Sequence, residues 1–113
     1  MVYLIDDDKS VRRGFELFLK SAGMDYKSFE SADLFSSSVE PKVNDTIILD
    51  LNLPGTSGCE FLQILRSKKN DVPVIVVTAH DELQSRKRCK ELGVKAFLRK
   101  PVDGEALIDI ILK

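Results

Sequence analysis

Histidine and cysteine are scarce in this 113-residue chain, which has one of the first, His80, and two of the second, Cys59 and Cys89. The two thiols show no metal-site spacing and no nearby cysteine partner, which excludes a thiolate metal centre or a disulfide framework as the organising device. His80 has no second imidazole with which to share a metal and reads as a polar rim residue. Charge of one sign is also missing. With 17 basic and 18 acidic residues the formal net charge is -1, so no whole-molecule field draws the chain to nucleic acid. Long hydrophobic runs are absent as well: the longest, Val72 to Val77, is interrupted by Pro73 and falls far short of the roughly 20 residues that cross a membrane. There is no low-complexity tract, internal repeat or evident linker, and no basic, long apolar leader opens the chain. Unpaired cysteines and the missing leader together give the expectation of a reducing, cytoplasmic setting.

What is present suits one globular domain over residues 1–113, with 43% hydrophobic and 31% charged residues, large enough for an apolar core without staples. The runs "VYLI", "TIILD", "VPVIVVT" and "KAFL" are short and nearly continuous, as in strands buried on both faces; "MDYKSF" is a fifth, weaker strand candidate with alternating character. Helical patterns lie between them. Residues 11 to 22 align Val11, Phe15, Phe18, Leu19 and Ala22 before a capping Gly23. A Ser-rich segment from Ser31 to about Ser38 rests on Ala32, Leu34 and Phe35. "GCEFLQILRSKK" repeats through Phe61, Leu62 and Leu65, "DELQSRKRCKELG" uses Leu83, Cys89 and Leu92, and "DGEALIDIILK" aligns Leu107, Ile110 and Ile111. Five strands alternating with five helices predict an α/β doubly wound (βα)5 sandwich: a parallel sheet covered by helices on both faces.

Such sheets bind ligands at the carboxyl ends of their strands, near the point where the winding reverses. Four strand candidates deliver polar groups to that edge: Asp6 and Asp7 after the first, Asp50 at the end of the third, Thr78 at the end of the fourth, and Lys100 before Pro101 after the fifth. Taken singly, "DDD" reads as a solvated turn, Asp50 as a loop cap, Thr78 as a β-branched strand residue and Lys100 as a surface lysine. Their convergence points instead to chemistry. Clustered carboxylates raise one another's pKa or recruit a cation, and a hard divalent ion such as Mg2+ prefers oxygen ligands and completes its shell with water or phosphoryl oxygen. A carboxylate can also act as a nucleophile toward phosphorus; Asp50, on an inner strand, is the candidate, with Thr78 as a hydroxyl donor and Lys100 as the neutralising charge. Asp8, third in its run, is expected to cap the helix starting near Ser10. Cys59 and Cys89 are expected to pack within helices, and the run Arg86, Lys87, Arg88 and Lys90 reads as a solvated or partner-docking helix face rather than a DNA-binding one.

"YLIDDDKSVRR", "IILDLNLPGTSG", "VIVVTAH" and "AFLRKP" together resemble the successive signatures of the response-regulator receiver domain of two-component signalling, the CheY-like superfamily, in the style of receivers attached to helix-turn-helix transcriptional regulators. The resemblance covers essentially the whole chain. It implies strand order 2-1-3-4-5. It implies that Asp50 accepts a phosphoryl group from a phosphohistidine on a sensor histidine kinase or phosphotransfer protein. Asp7 would ligate Mg2+ directly, Asp6 chiefly through water, and the Asn52 carbonyl would complete the protein ligands beside Asp50. Thr78 and Lys100 would hold the aspartyl-phosphate, a cis bond would precede Pro101, and Thr78 with Phe97 would form the switch. By the same resemblance, Asn52 and His80 would occupy positions that in the family influence the lifetime of the phosphoryl group. The face of the fourth helix, fifth strand and fifth helix would be the output and homodimer surface. The resemblance to receivers of helix-turn-helix regulators leaves room for a DNA-binding output domain beyond Lys113, which directly follows an apolar helical pattern, without establishing one. Phosphoryl transfer to self with slow autodephosphorylation is expected, without turnover of an external metabolite. Two rivals differ in kind. A Mg2+-dependent phosphohydrolase working through an aspartyl-phosphate would want its nucleophile after the first strand and an enclosing cap; a non-phosphorylated interaction module would have no use for the full set of polar residues.

Overall fold

The computed structural model describes residues 1–79 and 83–113; His80, with the opening Asp81 and Glu82 of the predicted fourth helix, lies outside the described residues. Along the chain run β1 (Val2–Ile5), α1 (Lys9–Ser21), β2 (Tyr26–Phe29), α2 (Ala32–Ser38), β3 (Thr46–Leu49), α3 (Gly58–Ser67), β4 (Val74–Thr78), α4 (Leu83–Glu91), β5 (Ala96–Arg99) and α5 (Gly104–Leu112). The strands form one sheet in the order β2-β1-β3-β4-β5, every neighbouring pair parallel. This is the doubly wound (βα)5 sandwich, and the winding reverses between β1 and β3.

Period-two alternation divides the core into two layers. Val2, Leu4, Ile48, Ile75 and Val77 meet Phe15 and Leu19 of α1 and Leu107 of α5. Ile5, Ile47, Leu49, Val74 and Val76 meet Phe35 of α2, Phe61, Leu62 and Leu65 of α3 and Cys89 of α4. The β3 and β4 side chains are buried throughout, which is why their sequences read as unbroken apolar runs. Short, Ser-rich α2 is anchored by a single ring: Phe35 makes edge contacts with Tyr3 and Phe29 at 5.2 Å and with Phe61 at 5.6 Å.

Helix ends follow local chemistry. The Asp8 carboxylate accepts the Ser10 and Val11 amides and starts α1 at Lys9, two residues ahead of the apolar pattern. Gly23, at φ 72°, follows the end of α1. Ser31, Ser57 and Asp103 cap α2, α3 and α5, each a contribution of about 1 kcal/mol. Four predicted apolar-face positions differ, among them Ala22, which is exposed at the end of α1. Leu83 is 81% exposed, Leu34 47% and Phe18 43%. Leu83 is the first residue of α4, and the Phe18 ring instead covers Gly104 at the start of α5, where a Cβ would overlap it.

Candidate functional site

Register places the acidic residues side by side. Ile5 pairs with Leu49, so the residues that follow, Asp6 and Asp50, leave adjacent strands at the same level, and the Asp50 amide donates to the Ile5 carbonyl at 3.0 Å. Carboxylate oxygens of Asp6, Asp7 and Asp50 lie within 4.8 Å of one another. Lys100 arrives from the end of β5, beside β4. Its backbone N–H donates to the Thr78 carbonyl at 2.8 Å, and its ammonium reaches Asp6 Oδ2 at 2.7 Å and Asp50 Oδ2 at 3.2 Å. The bond between Lys100 and Pro101 is cis.

Asp6 is held on every polar atom. Its N–H donates to the Phe29 carbonyl, its carbonyl accepts Arg12 Nη1 at 2.7 Å, and its carboxylate accepts the Asp8 amide and the Lys100 ammonium. Its side chain is fully buried. Asp7 differs: it is exposed, and no protein group bonds its carboxylate among the described residues. Asp50 is buried, with Oδ1 accepting the Asn52 amide at 3.1 Å. Burial is the largest influence on its carboxyl and pushes it above the usual range; the Asn52 N–H lowers it, the Asp6 charge raises it and Lys100 lowers it. Burial alone would lower the Lys100 ammonium, but the Asp6 and Asp50 carboxylates outweigh it and hold the group above its ordinary value. One ammonium thus partly neutralises a cluster of three carboxylates.

A divalent cation fits this donor set: the ligand atoms are hard oxygens within reach of one centre, and negative charge remains after Lys100 is counted. The cluster comprises Asp6, Asp7 and Asp50; Asp8 spends its carboxylate on the α1 cap. Thr78 is fully buried at the end of β4 and joins the site through its backbone bond to Lys100. Phe97 stands one strand further out, packed against the layer that contains α4, with the Arg86 guanidinium 5.3 Å above its ring. Asn52 is exposed and joins the site through its amide.

Two contributors escape sequence reasoning. Arg12 touches the site through a side chain to main chain bond, for which the only linear hint is its place on the first turn of a helix that follows the acidic run. Gly58 lets α3 approach β3 so closely that a Cβ there would overlap the Asp50 carbonyl oxygen and the Leu51 Cα.

The response regulator receiver domain family matches residues 2–112. Nodulation protein W of Bradyrhizobium diazoefficiens is 30% identical over 99% of this chain and 49% of its own length. The transcriptional regulatory protein FixJ of Azorhizobium caulinodans is 35% identical over 95% of this chain and 51% of its own length. Among solved structures, response regulator StyR superposes with a TM-score of 0.89 at 34% identity, covering 98% of this chain and 56% of that one. The chain therefore spans about half the length of the curated relatives it matches first.

Proposed function

The chain belongs to the response-regulator receiver domain family, and from that premise we propose that it takes a phosphoryl group from a histidine kinase or phosphotransfer protein onto Asp50 and converts it into a changed surface. Its Asp6, Asp7 and Asp50 cluster is consistent with a phospho-accepting site. The observation that carries the reading is the Lys100 ammonium shared between Asp6 and Asp50 beside the open carboxylate of Asp7. An Asp50 oxygen attacks the phosphorus of phosphohistidine in line, the P–N bond breaks and the imidazole leaves; later, water attacks the acyl phosphate, releasing inorganic phosphate and restoring the carboxylate. Lys100 offsets charge on the phosphoryl oxygens, and the Asn52 amide orients Asp50.

Mg2+ would be held by Asp7, Asp50 and the Asn52 carbonyl, with Asp6 acting through water. When bound it supplies positive charge beside the transferring phosphoryl oxygens. The occupied carboxylate oxygens of Asp6 and the unbonded carboxylate of Asp7 support that division. In the phosphorylated state the Thr78 hydroxyl turns toward the new phosphate and Phe97 packs inward, remodelling the α4–β5–α5 face where a second copy or an output element docks. The Azorhizobium relative is a transcriptional regulatory protein, which supports a transcriptional output for the signal this chain receives. No described helix is long and apolar enough to cross a membrane.

Intact-mass measurement after incubation with acetyl phosphate and Mg2+ tests the reading. One labile phosphoryl adduct is expected on the native chain and none on Asp50→Asn. Absence of an Asp50-dependent adduct with both the small donor and a kinase donor contradicts it, and turnover of a phosphomonoester lost in Asp50→Asn would favour the hydrolase.

A further inference from the structure

The turn that presents the acidic cluster is closed by a residue with no acidic atom of its own. Asp6, Asp7 and Asp8 join β1 to α1. At one end of this turn the Asp8 amide donates to Asp6 Oδ1 at 3.0 Å. At the other, Arg12 bridges back across the helix start: its backbone N–H donates to the Asp8 carbonyl at 2.9 Å, and its Nη1 donates to the Asp6 carbonyl at 2.7 Å. Asp6 and Asp8 are therefore tied to each other and to the first turn of α1. Asp7, at the apex, has no such tie, so its orientation is inherited from the backbone on either side.

From this geometry we infer that Arg12 is a positioning residue of the cation site: by clamping the Asp6 carbonyl it fixes the turn that aims Asp7 toward Asp50. The inference rests on the acidic cluster being a Mg2+ site, as proposed above. A guanidinium suits the task because it donates to the carbonyl without itself bonding any carboxylate oxygen of the cluster. The alternative role, a plain counter-charge to the acidic run, makes the opposite prediction. Removing a positive charge beside an acidic site strengthens cation binding if the charge merely competes with the ion, and weakens it if the side chain holds the ligands in place.

Three variants separate these roles: Arg12→Gln, Arg12→Lys and, as a control with the same charge change on the exposed neighbour, Arg13→Gln. Each is titrated with Mg2+ alone while the amide resonances of Asp7 and Asp8 are followed by NMR, with thermal unfolding recorded alongside. Arg12→Gln is expected to bind Mg2+ about tenfold more weakly and to broaden or shift the Asp7 amide before any ion is added. Arg13→Gln should match or slightly exceed native affinity. If Arg12→Gln does not fold, Arg12→Lys, which keeps the charge and loses the planar fork, is expected to show the same weakening at smaller size. Native or tighter binding in the folded Arg12 variants, with the Asp7 amide unmoved, overturns the inference. Failure of the native chain itself to shift the Asp7 and Asp8 amides with Mg2+ overturns the cation site, and this inference with it.

Discussion

Lys100 carries the electrostatic load of the site, because among the described residues its ammonium is the single cation bonded to two buried carboxylates. Removing one partner of such a buried arrangement leaves uncompensated charge, which costs about 3 kcal/mol. Lys100→Met is therefore expected to lower unfolding stability by about that amount in a metal-free denaturant titration and to regain part of it when Mg2+ is added; equal stability with and without the cation would contradict the assignment. Cys89 gives a pH-dependent counterpart. Burial, then the neighbouring Cys59, pushes its thiol up to about 11. The folded chain keeps a proton that the unfolded chain releases, so this contribution is complete below the ordinary thiol range and is lost as pH rises through it toward about 11. The stability difference between the native chain and Cys89→Ala should accordingly shrink over that alkaline window in denaturant titrations, and a constant difference would contradict it. The acidic and basic partners of the site were legible in the sequence because each stands within two residues of the end of an apolar run. Arg12 was not, since a side chain reaching a carbonyl leaves no periodic trace.

At the scale of elements, the approach of α3 to β3 sets where Asp50 stands. The Gly58 amide donates to the Leu51 carbonyl at 3.1 Å, and Thr56 in the same loop bonds the Asp33 carboxylate of α2 at 2.7 Å through its hydroxyl. A Cβ at Gly58 would force the loop away from α3. Gly58→Ala is expected to destabilise the fold by about 1–3 kcal/mol and to slow phosphorylation by acetyl phosphate by more than its loss of stability explains. Native phosphorylation kinetics would show that the loop does not position Asp50. Strands and the helices with strong patterns were readable because burial on one or two faces dictates their apolar spacing. The buried face of α4 was less so, for its basic run leaves Cys89 as the one fully buried residue, and strand order entered only through the family resemblance, since chain order does not determine it.

Across the whole molecule the two edges of the sheet do different work. At the amino ends of β4 and β5 the half-buried Arg66 guanidinium donates to the carbonyls of Asn70, Val72, Leu92 and Gly93, tying α3 to the turns that feed both strands. Arg66→Met should lower stability by about 2–3 kcal/mol while leaving the phosphorylated fraction of the folded protein unchanged. A selective loss of phosphorylation would contradict this separation of stabilising and reactive edges. At the carboxyl edge, strand register and a single lysine gather what the chain disperses, and the proposed function stands or falls on Asp50 being the phosphoryl acceptor there. Borohydride trapping after acetyl phosphate and Mg2+, followed by peptide mapping, tests this most directly. Reduction of an aspartyl-phosphate leaves homoserine at the modified position; homoserine is expected at residue 50, and its appearance at another carboxylate, or at none, would contradict the assignment of Asp50.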